Sequence, residues 1–341
     1  MCLLLRLFSK MKKFFLYSSI IVVFLFLGSY TTLYSWGFFA HKRINRIAVF
    51  TLPSEMIRFY KHHIEFITEH AVDPDKRRHA VEGEAERHYI DIDRYYRFGK
   101  DPFEVIPEKW TEAVLKFTED TLKANGILPW HIDKMTRKLT DAFREENAEK
   151  ILKVSSDLGH YIGDAHVPLH TTENYNGQLT GQKGIHGLWE SRLPELFADD
   201  YDYFTGKAKY IDNPLKTAWG IIRNSFSAKD SVLLFEAALN EKFPADKKWA
   251  YEKRGSSLTK VHSLEYSEAY NKMLNGMVER RMRETILMIG SYWYTSWVNA
   301  GQPDLNALID KKLPDKLKES PIKGEEEIEN SGKIKTLKEH E

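Results

Sequence analysis

Histidine and carboxylate side chains at helical spacing in the middle of the chain constrain the fold more than any other feature. The densest stretch runs from His160 through Asp164 to His170, and His186 and Glu190 follow sixteen residues later. Residues four apart lie on one face of a helix, so the pairs His160/Asp164 and His186/Glu190 can each hold one metal ion. Imidazole and carboxylate are the ligands that zinc takes when thiolate is absent. The pattern predicts a metal centre carried on helices.

Residues 1–35 are predicted to be a signal peptide. This stretch carries four basic residues and no acidic one, and an apolar run, Phe14 to Leu27, precedes a short polar segment. A positive start, an apolar middle and a small residue before the cut are typical of a cleaved export signal. We therefore expect the exported protein to begin at Trp36. The alternative is an uncleaved anchor at 14–33, which has about the twenty residues needed to span a bilayer.

Removal of the signal changes the charge balance of the chain. Lysine plus arginine falls from 50 to 46, because four of these residues lie in the signal, while the 49 acidic residues remain. Proteins that bind nucleic acid through its backbone usually show a strong basic excess, so only a local basic patch remains open. The single cysteine, Cys2, also lies in the signal, so we expect no disulfide, and bound metal would add folding stability instead.

The rest of the chain is predicted to be helical. Apolar residues recur at three- and four-residue spacing, and no alternating strand pattern exceeds a few residues. The predicted helices cover 41–52, 53–70, 110–124, 132–143, 145–165 and 264–297. From Asp304 the chain is rich in lysine and glutamate and lacks the apolar content to fold. The predicted organisation is all-α: a signal peptide at 1–35, a single multi-helix domain at 36–303, and a charged, disordered tail at 304–341.

Further motifs in the N-terminal half complete the pattern. Trp36-Gly would open the mature chain, His41 follows it, and Asp73 and Asp75 precede His88-Tyr-Ile-Asp. Together with His-x-x-x-Asp-x-x-x-Pro-Leu-His and His-x-x-x-Glu, these motifs resemble a superfamily formed by bacterial zinc-dependent phospholipases C and the fungal and plant single-strand-specific nucleases. The resemblance covers Trp36 to Glu190, about half of the mature chain, with the motifs in the expected order.

The resemblance implies three zinc ions in a cleft of the all-α fold. The implied ligands are Asp73, His88, His160 and Asp164 for the first ion, His170, His186 and Glu190 for the second, and His41 with the main-chain amine and carbonyl of Trp36 for the third. Asp164 would be shared between the first and third ions. The spacing favours Asp73 over Asp75 as the first aspartate ligand of the first ion, but it does not exclude Asp75.

The resemblance also implies hydrolysis of phosphoric esters by water activated between the zinc ions. Asp73 would orient that water. Lys76, with Arg77 beside it, stands where the nucleases have an arginine that offsets negative charge in the transition state. Tyr89 is a candidate for contacting a nucleotide base, and Asn174 is a candidate for holding phosphate, although either residue could instead serve packing or loop shape.

The sequence features point to two different substrate classes, one for each branch of the superfamily. Glu190 matches the phospholipases, whereas the nucleases usually have aspartate there; the step from Trp36 to His41 and the aromatic Tyr89 match the nucleases. The balance favours a phospholipase C-like phosphodiesterase acting on a phospholipid headgroup. The alternative is a single-strand-specific nuclease or 3'-nucleotidase, and a second alternative is a non-catalytic zinc-binding exported protein. We expect a monomer without an obligate protein partner.

Overall fold

A computed structural model describes residues 37–254 and 257–309. Trp36 and the signal peptide predicted at 1–35 lie outside the described residues, as do the alternative anchor at 14–33 and the chain beyond 309. None of the helices in the described part is both long and apolar enough to cross a membrane.

Almost all regular structure in the described chain is helical, which confirms the predicted all-α class. The α-helices span Phe38–Ala48, Ser54–His62, Ile64–Glu69, Asp73–Arg77, Pro102–Val105, Trp110–Phe117, Glu119–Ala124, Leu128–Arg144, Ala148–His166, Ile185–Gly187, Leu193–Phe197, Pro214–Lys242, Leu264–Leu274 and Met277–Asn299. A π-helical turn, Leu188–Arg192, joins two of the short helices.

The Ala148–His166 helix forms the centre of the fold. It packs against Leu128–Arg144, Pro214–Lys242 and Met277–Asn299, and also against Phe38–Ala48 at the start of the described chain. Its second half is buried on every side, as expected of a helix in the middle of a core rather than on a surface. This helix carries the central metal-binding motif, so the predicted ligands lie in the interior.

Two glycines let another helix approach the central one closely. A Cβ atom at Gly159 would stand 1.8 Å from Asn45 Oδ1, and one at Gly163 would stand 2.9 Å from His41 Cε1. Only a residue without a side chain fits at either place. The Phe38–Ala48 helix can therefore place His41 directly beside the central motif.

The predicted helix at 264–297 is divided in the structure. Asn275 and Gly276 both have left-handed backbone, with φ of 47° and 74°, and they separate Leu264–Leu274 from Met277–Asn299. Such residues end helices because the left-handed conformation cannot continue the right-handed hydrogen-bond pattern. The 29-residue helix Pro214–Lys242 was not predicted.

One antiparallel hairpin also departs from the predicted pattern. Trp249–Arg254 pairs with Ser257–His262, and Ala250 lies opposite Val261. Much of the first strand is exposed, so its apolar and polar residues carry little of the alternation that would reveal a half-buried strand. The hairpin is anchored by Arg192, whose guanidinium contacts the Glu252 carboxylate at 2.8 Å.

The packed part of the chain continues past the predicted domain end at 303. A 3-10 turn, Leu305–Leu308, places both leucine side chains in the interior, where the turn contacts the Ser54–His62 helix. Two isolated leucines in a polar stretch form too weak a pattern for the sequence to have indicated this contact.

Candidate metal centre

Metal-capable side chains gather in three groups on and around the central helix. Within each group every residue offers one ligand atom, and these atoms lie within 4.8 Å of one another: Asp75, His88 and His160 (first group), His170, His186 and Glu190 (second group), and His41, His160 and Asp164 (third group). These groups contain every histidine and acid predicted as a ligand except Asp73; the first group contains Asp75 instead. The predicted main-chain ligand Trp36 lies outside the described residues.

The first group has the dimensions of a zinc site. His160 Nε2 lies 3.1 Å from His88 Nδ1, and Asp75 Oδ1 lies 3.7 Å from His88 Nδ1 and 3.6 Å from His160 Nε2. Ligand atoms about 2.1 Å from a tetrahedral zinc stand about 3.4 Å apart. The three atoms could therefore share one ion after only small movements.

The two aspartates left open by spacing have different surroundings. Asp73 Oδ2 accepts a hydrogen bond from His70 at 2.6 Å, and Asp73 Oδ1 lies 3.5 Å from Lys76 Nζ. Asp75 instead faces His88 and His160. One residue on a short helix turns a side chain by about 100°, so a two-residue shift directs the two carboxylates to different sides.

Asp164 lies between the groups. Its Oδ2 is 2.9 Å from His88 Nδ1 and 3.3 Å from His160 Nε2, while its Oδ1 is 3.4 Å from His41 Nε2 and 3.7 Å from His170 Nδ1. The imidazoles of His41 and His160 stack with centroids 3.9 Å apart. A single carboxylate thus presents one oxygen to the first group and the other to the third.

The second group forms around Glu190. His186 Nε2 lies 2.8 Å from Glu190 Oε1, and His170 Nε2 lies 3.2 Å from Glu190 Oε2. The helical turn places His186 and Glu190 on one face, as the four-residue spacing predicts. His170 reaches the same carboxylate from the turn that follows the central helix.

Backbone carbonyls hold three of the imidazoles in orientation. His160 Nδ1 contacts the carbonyl of Ala71 at 2.9 Å, His170 Nδ1 that of His88 at 2.6 Å, and His186 Nδ1 that of Tyr175 at 3.1 Å. A proton on Nδ1 leaves Nε2 free of hydrogen and able to bind metal. A hydrogen-bond acceptor on the ring nitrogen that does not bind the metal is typical of metal-ligating histidines.

The buried charges in the site shift one another's pKa values. Burial opposes ionisation of Asp164, but His160 and His170 hold its pKa well below the ordinary value. Burial likewise opposes ionisation of Glu190, yet His186 and His170 lower its pKa to about 2. The carboxylates are therefore ionised at neutral pH and suited to bind a cation.

Asp75 provides a direct test of whether these residues fit a metal ion. Neither of its carboxylate oxygens has a hydrogen-bond partner, and both atoms are buried. An unsatisfied buried carboxylate is costly unless a cation compensates it. A metal ion held by Asp75, His88 and His160 would supply that compensation, so the donor set and its burial fit zinc.

Arg77 and Lys76, predicted to offset transition-state charge, have partners of their own. Arg77 donates to both Asp157 oxygens, at 3.2 and 2.9 Å, and its Nε lies 3.1 Å from Glu84 Oε2. Lys76 lies beside Asp73, as described above. No sequence motif pointed to Glu84, which is fully buried and whose Oε1 stands 3.7 Å from His88 Nε2, behind the first group.

Of the predicted substrate contacts, Tyr89 follows His88 in the chain, and Asn174 precedes Tyr175, whose carbonyl contacts His186. Tyr89 is partly buried, and its backbone carbonyl closely approaches Gly126. Asn174 is buried, donating to Thr180 Oγ1 at 3.0 Å and accepting from the Leu179 amide at 2.8 Å, so its side chain holds the loop together. The neighbouring Tyr175, which the sequence did not single out, is exposed and meets the His186 ring edge to face.

Comparisons with known proteins add to this geometry. The S1/P1 nuclease family matches residues 36–285, a range that contains all three groups. The chain is also similar to the solved alpha-toxin of Clostridium perfringens from an avian strain, with 13% identity and a TM-score of 0.45, over 81% of this chain and 66% of that one. No curated protein sequence matches the chain. Because the family match covers most of the chain, this protein belongs to the S1/P1 nuclease family and is a phosphodiester hydrolase.

Proposed function

We propose that this protein is an exported zinc-dependent nuclease that cleaves phosphodiester bonds in single-stranded nucleic acid. The observation that carries the proposal is the family match over residues 36–285, which spans the full set of metal-capable groups. This match moves the proposal from the phospholipase C favoured by the sequence to the nuclease that was its alternative. The family is zinc-dependent, and we propose three ions, one for each group.

Asp164 would be the residue on which the centre depends most. Its two oxygens face different groups, so it can hold two ions at once and offset their mutual repulsion. When bound, zinc ions supply Lewis acidity that activates water at neutral pH and neutralises phosphoryl oxygens. The protein's own ligands fix where that chemistry occurs, and burial of the groups keeps bulk water from screening it.

We assign the charge-offsetting role to Arg78 instead of Lys76 or Arg77. Arg78 follows Asp75 by three residues and is partly exposed. Burial and Asp91 raise the pKa of Tyr89 to about 12, and the Arg78 charge acts against this shift. A cation that acts on Tyr89, the residue after His88, could meet a phosphate held at the first group.

Tyr89 and Tyr175 would supply the aromatic contacts for a nucleotide base. Each is adjacent in sequence or space to a ligand, Tyr89 to His88 and Tyr175 to His186. Stacking of a base on an aromatic ring contributes about 1–3 kcal/mol and tolerates any sequence. In this proposal Asn174 acts indirectly, because it shapes the loop that presents Tyr175.

Export remains part of the proposal. The family match begins at residue 36, where the predicted signal would be cut, and the charged and apolar pattern of residues 1–35 supports cleavage. The mature domain predicted at 36–303 and the tail at 304–341 stay predictions, as does the monomeric state.

A second candidate function is phospholipase C activity, and Glu190 is the observation that favours it. The experiment compares one zinc-loaded preparation, beginning at Trp36, on single-stranded DNA, on a 3'-nucleotide and on phosphatidylcholine vesicles. We expect turnover of the DNA and the nucleotide, and loss of that turnover in Asp164→Asn. Turnover of the vesicles alone would replace the nuclease proposal with the phospholipase, and an inactive preparation with full zinc content would contradict both.

A further inference from the structure

A cavity of about 200 Å³ lies next to the metal centre. Tyr161 connects it to the first group. This residue lines the cavity, and its hydroxyl donates to Glu84, whose carboxylate lies behind His88. One water molecule takes about 30 Å³ of liquid, so the cavity has room for a tetrahedral oxyanion with several waters or with an attached group.

The lining of this cavity is strongly basic. Arg77, Arg87, Lys134, Lys138 and Lys153 contribute cationic side chains, against one carboxylate among the lining residues. The two arginines are partly buried, whereas the three lysines are exposed. The lysines therefore stand where the cavity meets solvent, and an anion could enter without displacing the core.

The nearby carboxylates are already neutralised by the arginines. The Asp157 carboxylate accepts hydrogen bonds from both terminal nitrogens of Arg77. Glu84 Oε2 lies 3.1 Å from Arg77 and 2.6 Å from Arg87. Neither acid forms an ion pair with the lysines, although Asp157 attracts Lys138 and Lys153 at longer range. Across residues 37–254 and 257–309, no ion pair forms at the three cavity lysines.

Some other lysines of the described chain form ion pairs with a nearby glutamate. Lys109, Lys123 and Lys150 each pair with a glutamate on the same or an adjoining turn, at 3.0, 2.6 and 2.6 Å. Exposed lysines are usually solvated and need no ligand. Three that line one concavity, where the single lining carboxylate, Asp157, is already bound by Arg77, form a positive potential that favours an anion.

Nearby cations disfavour the charged form of one cavity lysine. Burial, Lys134 and Arg87 lower the pKa of Lys138, and Asp157 acts in the opposite direction. Burial and Arg87 also lower the pKa of His131, another lining residue, to about 3, so that histidine stays neutral. An anion placed among these groups would relieve the repulsion.

We propose that this basic cavity is a phosphate-binding site separate from the metal centre, which accepts a phosphate group either as the free ion or as part of a nucleic-acid strand. Lysine ammonium groups would meet the phosphate oxygens as mobile point charges, and Arg87 would meet them from the inner side. The proposal goes beyond the nuclease activity, since phosphate binding at this site requires no hydrolysis.

The test is a calorimetric titration of the full, zinc-loaded protein with inorganic phosphate at constant ionic strength. We expect two classes of binding, one at the zinc ions and one in the cavity. The variant Lys134→Gln/Lys138→Gln/Lys153→Gln should weaken one class by at least about tenfold, because it removes three cationic hydrogen-bond donors from the site. The matched control, Lys109→Gln/Lys123→Gln/Lys150→Gln, removes the same charge from paired lysines and should bind as the unaltered protein does.

Zinc content and thermal unfolding, measured on both variants, verify that the exposed substitutions leave the fold intact. Equal phosphate binding by the two variants, or a single class in the unaltered protein, would overturn the proposal. A second experiment measures KM and kcat for a single-stranded oligonucleotide by steady-state kinetics. A raised KM with unchanged kcat in the cavity variant assigns the site to the strand, and an unchanged KM with weakened phosphate binding assigns it to free phosphate. If the protein proves to lack nuclease activity, the phosphate titration still decides this proposal.

Discussion

Gly163 lies directly against the imidazole of His41, so closely that a Cβ atom at position 163 would be 2.9 Å from His41 Cε1. One turn earlier, Gly159 has the same relation to Asn45. His41 itself is fully buried and stacks on His160. The third group therefore depends on helix packing as much as on its ligands, because only close approach of two helices brings His41 to Asp164.

Replacement of Gly163 by alanine should disturb metal binding without touching a ligand. The added methyl group must displace the His41 ring, so we expect reduced zinc content, slower turnover and a loss of about 1–3 kcal/mol in the free energy of unfolding. Zinc analysis and thermal unfolding measure both effects. Gly220→Ala is the matched control, since a methyl group at that helical glycine would meet no atom within 4 Å and alanine there should stabilise by about 1 kcal/mol. Full zinc content in Gly163→Ala would argue against the packing explanation.

The roles of the two neighbouring aspartates can be separated by paired substitutions. Asp75→Asn should lose the ion of the first group, and its kcat/KM should fall at least about a hundredfold. Even residues that only hydrogen-bond a metal ligand change metal affinity or activity about ten- to a hundredfold when they are replaced. Asp73→Asn should keep its zinc, because Asp73 contacts His70 and Lys76 instead of the first group. Zinc stoichiometry and steady-state kinetics on both proteins decide the matter. The opposite ranking would return the ligand role to Asp73.

The sequence predicted the histidines and acids of the site because metal ligands leave a local signature. His160 with Asp164, and His186 with Glu190, are each four residues apart, and helical geometry alone brings each pair together. The sequence could not decide in this way between Asp73 and Asp75. Which of the two faces the site depends on how a five-residue helix is rotated against the core.

Features that depend on tertiary packing left no such signature. Glu84 is identified only by the groups around it, and the three cavity lysines come from two helices whose relative rotation the sequence does not state. The long helix Pro214–Lys242 was missed although its asparagine cap, Asn213, accepts from the Lys216 amide at 3.0 Å. Its buried residues are widely spaced in the second half, which weakens the apolar periodicity used to predict helices.

Metal binding should depend on pH through His160. Burial favours its neutral form, but Asp164 and Asp75 together raise its pKa to about 9 in the metal-free protein. Zinc needs the neutral imidazole, so binding below pH 9 must release a proton, and zinc affinity should fall as the pH is lowered. Calorimetry at pH 7.5, in buffers of different ionisation enthalpy, counts the released protons. No proton release would contradict the assignment of His160 as a ligand.

The same shift makes an opposite prediction for the stability of the metal-free protein. A pKa raised from 6.5 to about 9 means that the folded state binds the His160 proton more tightly than the unfolded state does. The resulting stabilisation is complete below pH 6.5 and is lost as the pH rises through 9. Urea unfolding of the zinc-free protein should therefore show this contribution declining between these values, while zinc-loaded protein gains stability over the same range.

The free amine of Trp36 should be required for full activity. The described chain begins at Gly37, whose amide donates to Ser191 Oγ at 3.1 Å, next to the candidate ligand Glu190. This contact places Gly37, which follows the predicted first residue of the mature chain, close to the candidate metal centre. An α-amine has an unperturbed pKa of about 8, and metal binding competes with its proton. An additional residue before Trp36 would convert the amine to an amide, which is a poor zinc ligand.

A chain made in the cytoplasm with methionine directly before Trp36 should therefore hold less zinc than the exported form and turn over more slowly. The matched control is the same chain after the methionine has been removed enzymatically, which restores the amine without changing any other residue. N-terminal sequencing identifies the cut in exported protein, and zinc analysis with kinetics compares the two forms. Equal zinc content and equal kcat in both would show that the amine is not a ligand, and the third ion would then depend on the side chains of the third group alone.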